Sequence, residues 1–241
     1  MVEFRDTGVA QRARTGYATR DDNDRPRMHM KSRPYQTRAR SSILRAWRDN
    51  DRVMLVMATG TGKTVTFGML VKELSERASL RCLVLAHREE LIQQIERTFA
   101  DLSISSVGVV QRSRNQLDER VVIASVASLH AKRRASVRTP FDVVIIDEAH
   151  HAQPDNSYGE ILGWADRLAA RSNRSCKVLG VTATPYRGDE QSLDGVFQSV
   201  AYRYNLPDAV RDGFLAPLRV FQVRTNVSLD DVQTTAGDFS S

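Results

Sequence analysis

The residues best suited to chemistry are Asp147-Glu148-Ala149-His150, directly after the apolar run FDVVII. Two adjacent carboxylates at the C-terminal end of a buried strand repel each other and lose hydration. That costs stability, but it suits them to hold a cation and activate a water. Upstream, Gly60-Thr61-Gly62-Lys63-Thr64 reads as a phosphate-binding turn, with Thr59 leading into it. Glycines let the backbone N–H groups curl toward phosphate oxygens at a helix N-terminus. Lys63 would reach the β- and γ-phosphates and the Thr64 hydroxyl would ligate Mg²⁺. Asp147 would hold the same Mg²⁺ through water, and Glu148 would accept a proton from the attacking water. One departure from the usual eight-residue pattern is Met57, where a first glycine is expected. A chance occurrence of such a turn in a chain this long is on the order of one in a hundred from average residue usage.

The elements that must position these residues alternate in type. Ala39, Ile43, Leu44 and Trp47 share a helical face after Pro34, and VMLVM (53–57) is a short apolar run suited to a buried parallel strand. Val65, Met69, Leu70 and Leu74 line the helix after the glycine turn. RCLVLA, VVIAS, FDVVIID and KVLGVTAT read as further strands; Leu91, Ile92, Ile95 and Phe99 mark one intervening helix, and Tyr158, Ile161, Leu162, Ala165 and Leu168 another. VVIAS is followed by a short helix and a basic loop holding Lys132, Arg133, Arg134 and Arg138. Beyond Gly188, VAYRYNL predicts a strand, 207–212 a short helix stopped by Gly213, and LRVFQV either a last strand or a crossing into another domain. Such alternation implies a three-layer α/β fold with a mostly parallel sheet, whose ligands bind at the carboxyl ends of the strands. Every polar motif named above falls at such an end.

Bulk properties narrow the class. The 241 residues suffice for one α/β domain with tails, and 41% of them are hydrophobic. No run approaches the roughly 18 apolar residues of a membrane span, and the first apolar run begins only at Val53, so neither a membrane anchor nor a secretory signal is expected. Cys82 and Cys176 are too few for a disulfide scaffold or zinc site and suit a reducing cytoplasm. The net charge of +6 and a pI near 9.6 favour a polyanionic partner without identifying one. Residues 1–31 mix charges of both signs without apolar periodicity and read as a disordered tail, or as a segment preceding a true start at Met28 or Met30.

Taken in order, RPYQ (33–36), MATGTGKT, LVLAHREEL, DEAH and TATP resemble the first RecA-like domain of superfamily 2 DEAD/DEAH-box helicases, closest to the type III restriction res-subunit and RadD-like group. The resemblance covers residues 32–218 and implies a RecA-like P-loop NTPase fold, with 219–241 as a linker toward a second RecA-like domain. It implies ATP as the nucleotide, with Gln36 and Arg33 reading the adenine edge. It also implies that Thr182, Thr184 and His150 couple nucleotide state to nucleic-acid strain. His87, Arg88, Ser125 and Ser128 would touch the backbone of a bound strand, a sequence-independent contact by short polar and basic groups. The restriction and repair character of the group points to DNA over RNA.

Read by residue type alone, His151 is a solvated neighbour of His150, and Arg187 a surface residue. The family's transition-state arginines come from the second RecA-like domain, in cis or trans, and are worth roughly 10³–10⁵ in rate. The expectation is therefore a motor domain that binds Mg-ATP and hydrolyses it poorly alone. A non-catalytic nucleotide- or nucleic-acid-binding fragment and a subunit of a restriction-type complex stand as alternatives.

Overall fold

A computed structural model describes residues 31–77, 80–184, 195–217 and 219, with the backbone of the short antiparallel pair Thr234–Thr235 and Asp238–Phe239. The predicted 1–31 tail (apart from Lys31), Arg187, LRVFQV (apart from Arg219) and nearly all of the 219–241 linker lie outside the described residues.

In chain order the elements are α1 (Pro34–Ala46), β1 (Arg52–Met57), α2 (Lys63–Arg77), β2 (Cys82–Ala86), α3 (Glu89–Asp101), β3 (Val107–Gln111), β4 (Arg114–Asn115), β5 (Val121–Ser125), α4 (Ala131–Arg134), β6 (Val143–Asp147), α5 (Ser157–Ala170), β7 (Lys177–Thr182), β8 (Ser199–Tyr204) and α6 (Leu206–Arg211). A 3-10 turn, Ala149–His151, separates β6 from α5. The eight strands form one sheet in the order β4-β3-β5-β2-β6-β7-β1-β8, parallel throughout except that β4 runs antiparallel to β3.

The apolar runs become strands because both faces of the sheet are covered. Val53, Leu55, Cys82, Val84, Val121, Ile123, Val143, Ile145, Leu179 and Val181 join one core beneath α1, α2, α3 and α6. Their alternate neighbours Met54, Val56, Leu83, Leu85, Val122, Val144, Ile146 and Val178 join a second core beneath α5. A strand buried on both sides reads as a continuous apolar run, so periodicity alone cannot assign its faces.

Three expectations are corrected. SVGVVQ forms β3 and pairs with β5, although no strand was expected there; its register Gly108↔Val122 and Val109↔Ile123 depends on a neighbour supplied by the fold. Lys132, Arg133 and Arg134 do not form a loop but are the body of α4. Arg133 Nη1 donates to the Ser128 carbonyl at 3.2 Å and Arg134 Nη1 to the Leu129 carbonyl at 3.1 Å, so these two cations clip the chain end that follows β5. The last short helix begins at Leu206, one residue earlier than predicted, because Asn205 and Asp208 cap it reciprocally.

Candidate functional site

The glycine turn read as phosphate-binding joins β1 to α2. Gly60 and Gly62 adopt φ of 82° and 78°, the left-handed region that an L side chain enters only with strain. A Cβ at Gly62 would also stand 2.9 Å from Gln36 Nε2. The turn is braced from inside: Thr61 is fully buried, and its hydroxyl donates to the Ala58 carbonyl at 2.6 Å. Thr66 Oγ donates to the Gly62 carbonyl at 2.9 Å, anchoring the first turn of α2. Lys63 and Thr64, the first residues of α2, are half-buried beside it, and Thr59 and Gly60 face solvent.

Helix α1 holds this turn from the side. Tyr35 is fully buried, and its hydroxyl donates to the Thr61 carbonyl at 2.7 Å. Gln36 accepts from the Arg33 N–H at 2.9 Å and donates from Nε2 to the Gly62 carbonyl at 3.4 Å. The Arg33 guanidinium donates to the Tyr35 hydroxyl at 3.0 Å and lies 5.3 Å from the Phe214 ring centre. Arg33 and Gln36 thus sit together at the turn, with Gln36 bonded within the protein. Sequence reasoning gave Tyr35 no part in the site, since a helix start explains an aromatic there equally well. It also missed Phe214 and Leu215; the Leu215 side chain lies 3.2 Å from where a Gly60 Cβ would be, and nothing local in the sequence signals that contact.

Asp147 closes β6, two strands from β1 across β7. It is 4% exposed, and its carboxyl is raised to about 6, first by burial and then by the Glu148 charge. The Glu148 N–H, which donates to Asp147 Oδ1 at 3.1 Å, and the Lys63 charge oppose the rise. Glu148 stands in the left-handed region at φ 51°, an unfavourable conformation for a residue bearing a Cβ. Behind the pair on α5, the buried Tyr158 hydroxyl has no hydrogen-bond partner among the described residues. Its pKa is pushed up to about 12 by burial and by the charges of Asp147 and Glu148.

His150 meets the end of β7. Its Nδ1 is 3.2 Å from Thr182 Oγ and 3.4 Å from Glu148 Oε2. Thr182 is fully buried; its hydroxyl donates to the Thr184 carbonyl at 2.9 Å and accepts from the Thr184 N–H at 3.2 Å. The ends of β5, β2 and β6 lie side by side, so His87 and Arg88 stand between Ser125–Ser128 and Glu148–His151. Ser125 is 8% exposed, and the Ser128 hydroxyl already accepts from the Arg112 N–H at 3.1 Å. Of the four predicted strand contacts, His87 and Arg88 border an open cavity of about 260 Å³ with Leu91, Glu148, His150 and His151.

His151 is exposed, in keeping with a solvated neighbour of His150, and it also meets two other imidazoles. Its ring lies edge-on to His87 at 4.4 Å and against His150 at 4.1 Å. Burial first, then the neighbouring imidazoles, lowers the pKa of His151; burial and then Arg88 lowers that of His87. A second histidine after the DEAH sequence was the only available signal, and it could not reveal a contact made across strands.

A buried carboxylate under the influence of a lysine charge, with a glycine turn at a helix N-terminus, is an arrangement that could receive the polyphosphate of a nucleotide. Residues 29–187 match the family described as type III restriction enzyme, res subunit, and the chain belongs to that family. IRC3 of Saccharomyces cerevisiae, named as an ATP-dependent helicase, is 29% identical over 218 residues, which cover 86% of this chain and 31% of the relative. The type I restriction enzyme EcoAI endonuclease subunit of Escherichia coli is 30% identical over 217 residues, covering 85% and 26%. The chain therefore spans about a third or less of the length of these relatives. Among solved structures, a nuclease-deletion mutant of the type ISP restriction-modification enzyme LlaGI, in complex with a DNA substrate mimic, superposes with a TM-score of 0.60 at 22% identity, covering 77% of this chain and 21% of that one. The shared fold is the RecA-like domain of superfamily 2 helicases. No helix among the described residues is long and apolar enough to cross a membrane.

Proposed function

We propose that this member of the type III restriction res-subunit family is the ATP-binding half of a nucleic-acid motor, with DNA as its track. The observation that carries the reading is that the neighbouring carboxyl ends of β1, β7 and β6 bring a left-handed glycine turn and the Lys63 charge within electrostatic reach of the buried Asp147.

The residues present fit Mg-ATP. The bare carboxylate of Asp147 is penalised by burial, and a divalent cation would remove that penalty. Thr64 and Asp147 would hold the cation, which would neutralise charge on the β- and γ-phosphates. The N–H groups of 59–64 and Lys63 bind and orient those phosphates. Glu148, held beside Asp147, takes the proton from water. Arg33 and Gln36 face the base. His150, Thr182 and Thr184 join the water-activating end of β6 to the end of β7, the link through which hydrolysis would be coupled to movement of a strand held at His87, Arg88, Ser125 and Ser128.

In this reading the opposite wall comes from a second RecA-like domain in cis or trans, so the chain alone binds Mg-ATP and turns it over slowly. Calorimetric titration with ATP, comparing wild type with Lys63→Ala, tests the pocket. The expected result is micromolar binding lost by at least tenfold in the variant; equal binding would refute the site. Repeating the titration with single-stranded DNA and RNA at two salt concentrations tests the track, since phosphate-backbone binding weakens steeply with salt.

A further inference from the structure

Three imidazoles lie in a row across the ends of β2 and β6. His87 follows β2; His151 and His150 belong to the 3-10 turn after β6. Ring centres are 4.4 Å apart between His87 and His151, and 4.1 Å between His151 and His150. All three rings border the open cavity with Arg88, Leu91 and Glu148, and at the His150 end the row reaches Thr182 and Glu148.

The hydrogen bonds at the inner end define what the row can move. Thr182 Oγ donates its hydrogen to the Thr184 carbonyl and accepts from the Thr184 N–H, so it can only accept from His150. That assigns the His150 hydrogen to Nδ1 and leaves it shared between Thr182 at 3.2 Å and Glu148 Oε2 at 3.4 Å. The first is at the upper end of the usual range and the second lies beyond it. A small tilt of the His150 ring strengthens one bond and weakens the other, making a two-state element directly on the carboxylate proposed to activate water. The ring packed against His150 is His151, inclined at 43°, and the ring meeting His151 from the strand side is His87, at 63°. His87 Nδ1 is also buried without a hydrogen-bond partner among the described residues. An orphan donor or acceptor of that kind is costly, so the outer ring gains from any shift that gives it a partner.

We propose that His151 is a positioning residue that transmits strand occupancy at His87 and Arg88 to the shared His150 hydrogen bond, and so sets the orientation of Glu148. When a strand settles on Arg88 and His87, the His87 ring is pinned; His151 follows because its ring has a packed neighbour on each side; His150 then commits its N–H to Thr182 or to Glu148. The inference rests on the proposed function, because it requires nucleotide at one end of the row and nucleic acid at the other.

The test is the coupling between the two ligands in the 241-residue chain. A fluorescent single-stranded oligonucleotide is titrated with and without Mg²⁺ and a non-hydrolysable ATP analogue, and the ratio of the two dissociation constants is the readout. Wild type should show a ratio of at least ~5, within the usual range of allosteric coupling. His151→Ala should bring the ratio to within about twofold of unity, while each ligand taken alone binds within about threefold of wild type. His151→Phe keeps a ring between its neighbours and should restore most of the ratio, a rescue that also serves if the alanine variant folds poorly. A wild-type ratio near unity, an undiminished ratio in His151→Ala, or weaker oligonucleotide binding at unchanged ratio would each overturn the inference. Equal ATP binding by wild type and Lys63→Ala would instead overturn the functional reading beneath it.

Discussion

Replacing Asp147 with asparagine should make the metal-free domain more stable while removing its hold on Mg²⁺. The carboxyl is 4% exposed and raised from an ordinary 3.8 to about 6 by burial and by the neighbouring Glu148 charge. That shift corresponds to ~3 kcal/mol of cost for keeping the carboxylate ionised in the fold at neutral pH. An amide of the same shape carries no charge and can still accept the Glu148 N–H. For a domain of this size ~3 kcal/mol corresponds to roughly 6–12 °C in melting temperature. The sign follows from proton counting. Between the ordinary carboxyl value and about 6 the native state binds more protons than the unfolded chain, so wild-type stability falls as pH rises through that window. The advantage of Asp147→Asn should therefore be largest above pH 7, drop by about half near pH 5, and almost vanish near pH 4. Thermal or urea unfolding with a chelator present, at these three pH values, measures it. Adding Mg-ATP should raise the melting temperature of wild type and leave the variant unchanged, since ligand stabilisation follows occupancy. A variant no more stable than wild type above pH 7, or an advantage independent of pH, would refute the argument that Asp147 is a charge held against its solvation.

Gly62→Ala should lose nucleotide affinity by more than tenfold in calorimetry and about 1–2 kcal/mol of stability, because φ of 78° and the approach of Gln36 leave no room for a Cβ. Tyr35→Phe removes the donor to the buried Thr61 carbonyl; it should cost about 1–3 kcal/mol in urea unfolding and weaken ATP binding through a loosened turn, and a neutral result would mean that the bond does not hold the turn. His87 and His151, whose pKa values burial and neighbouring cations depress, should titrate below the ordinary histidine value of 6.5 in ring-proton NMR. Because the unfolded chain then takes up protons first, their contribution to stability is present above pH 6.5 and is lost as pH falls through the folded values.

The candidate nucleotide site was legible in the residues because the chemistry proposed for it is local. A phosphate cradle needs consecutive glycines, a lysine and a hydroxyl within one turn, and those are adjacent in the chain as Gly60 to Thr64. Asp147 and Glu148 were legible for a similar reason, since acids directly after an apolar run stand at a strand end. The central strands could be read because burial on both faces demands an unbroken apolar run, as in VVIID and CLVLA. Strand β3, second from the sheet's edge, could not be read, because its pairing with β5 is supplied by the fold and its run is interrupted by Gly108.

By itself, then, the sequence determined which groups could bind a phosphate and a cation, and the alternation that sets them at strand ends. Only the tertiary structure decided which strand ends are neighbours. The order β5-β2-β6-β7-β1 brings His87 against His151, His150 against Thr182, and Asp147 within electrostatic reach of Lys63. Contacts between residues far apart in the chain depend on the lateral order of parallel strands, which the core-facing sides of all the strands jointly select and no local segment encodes.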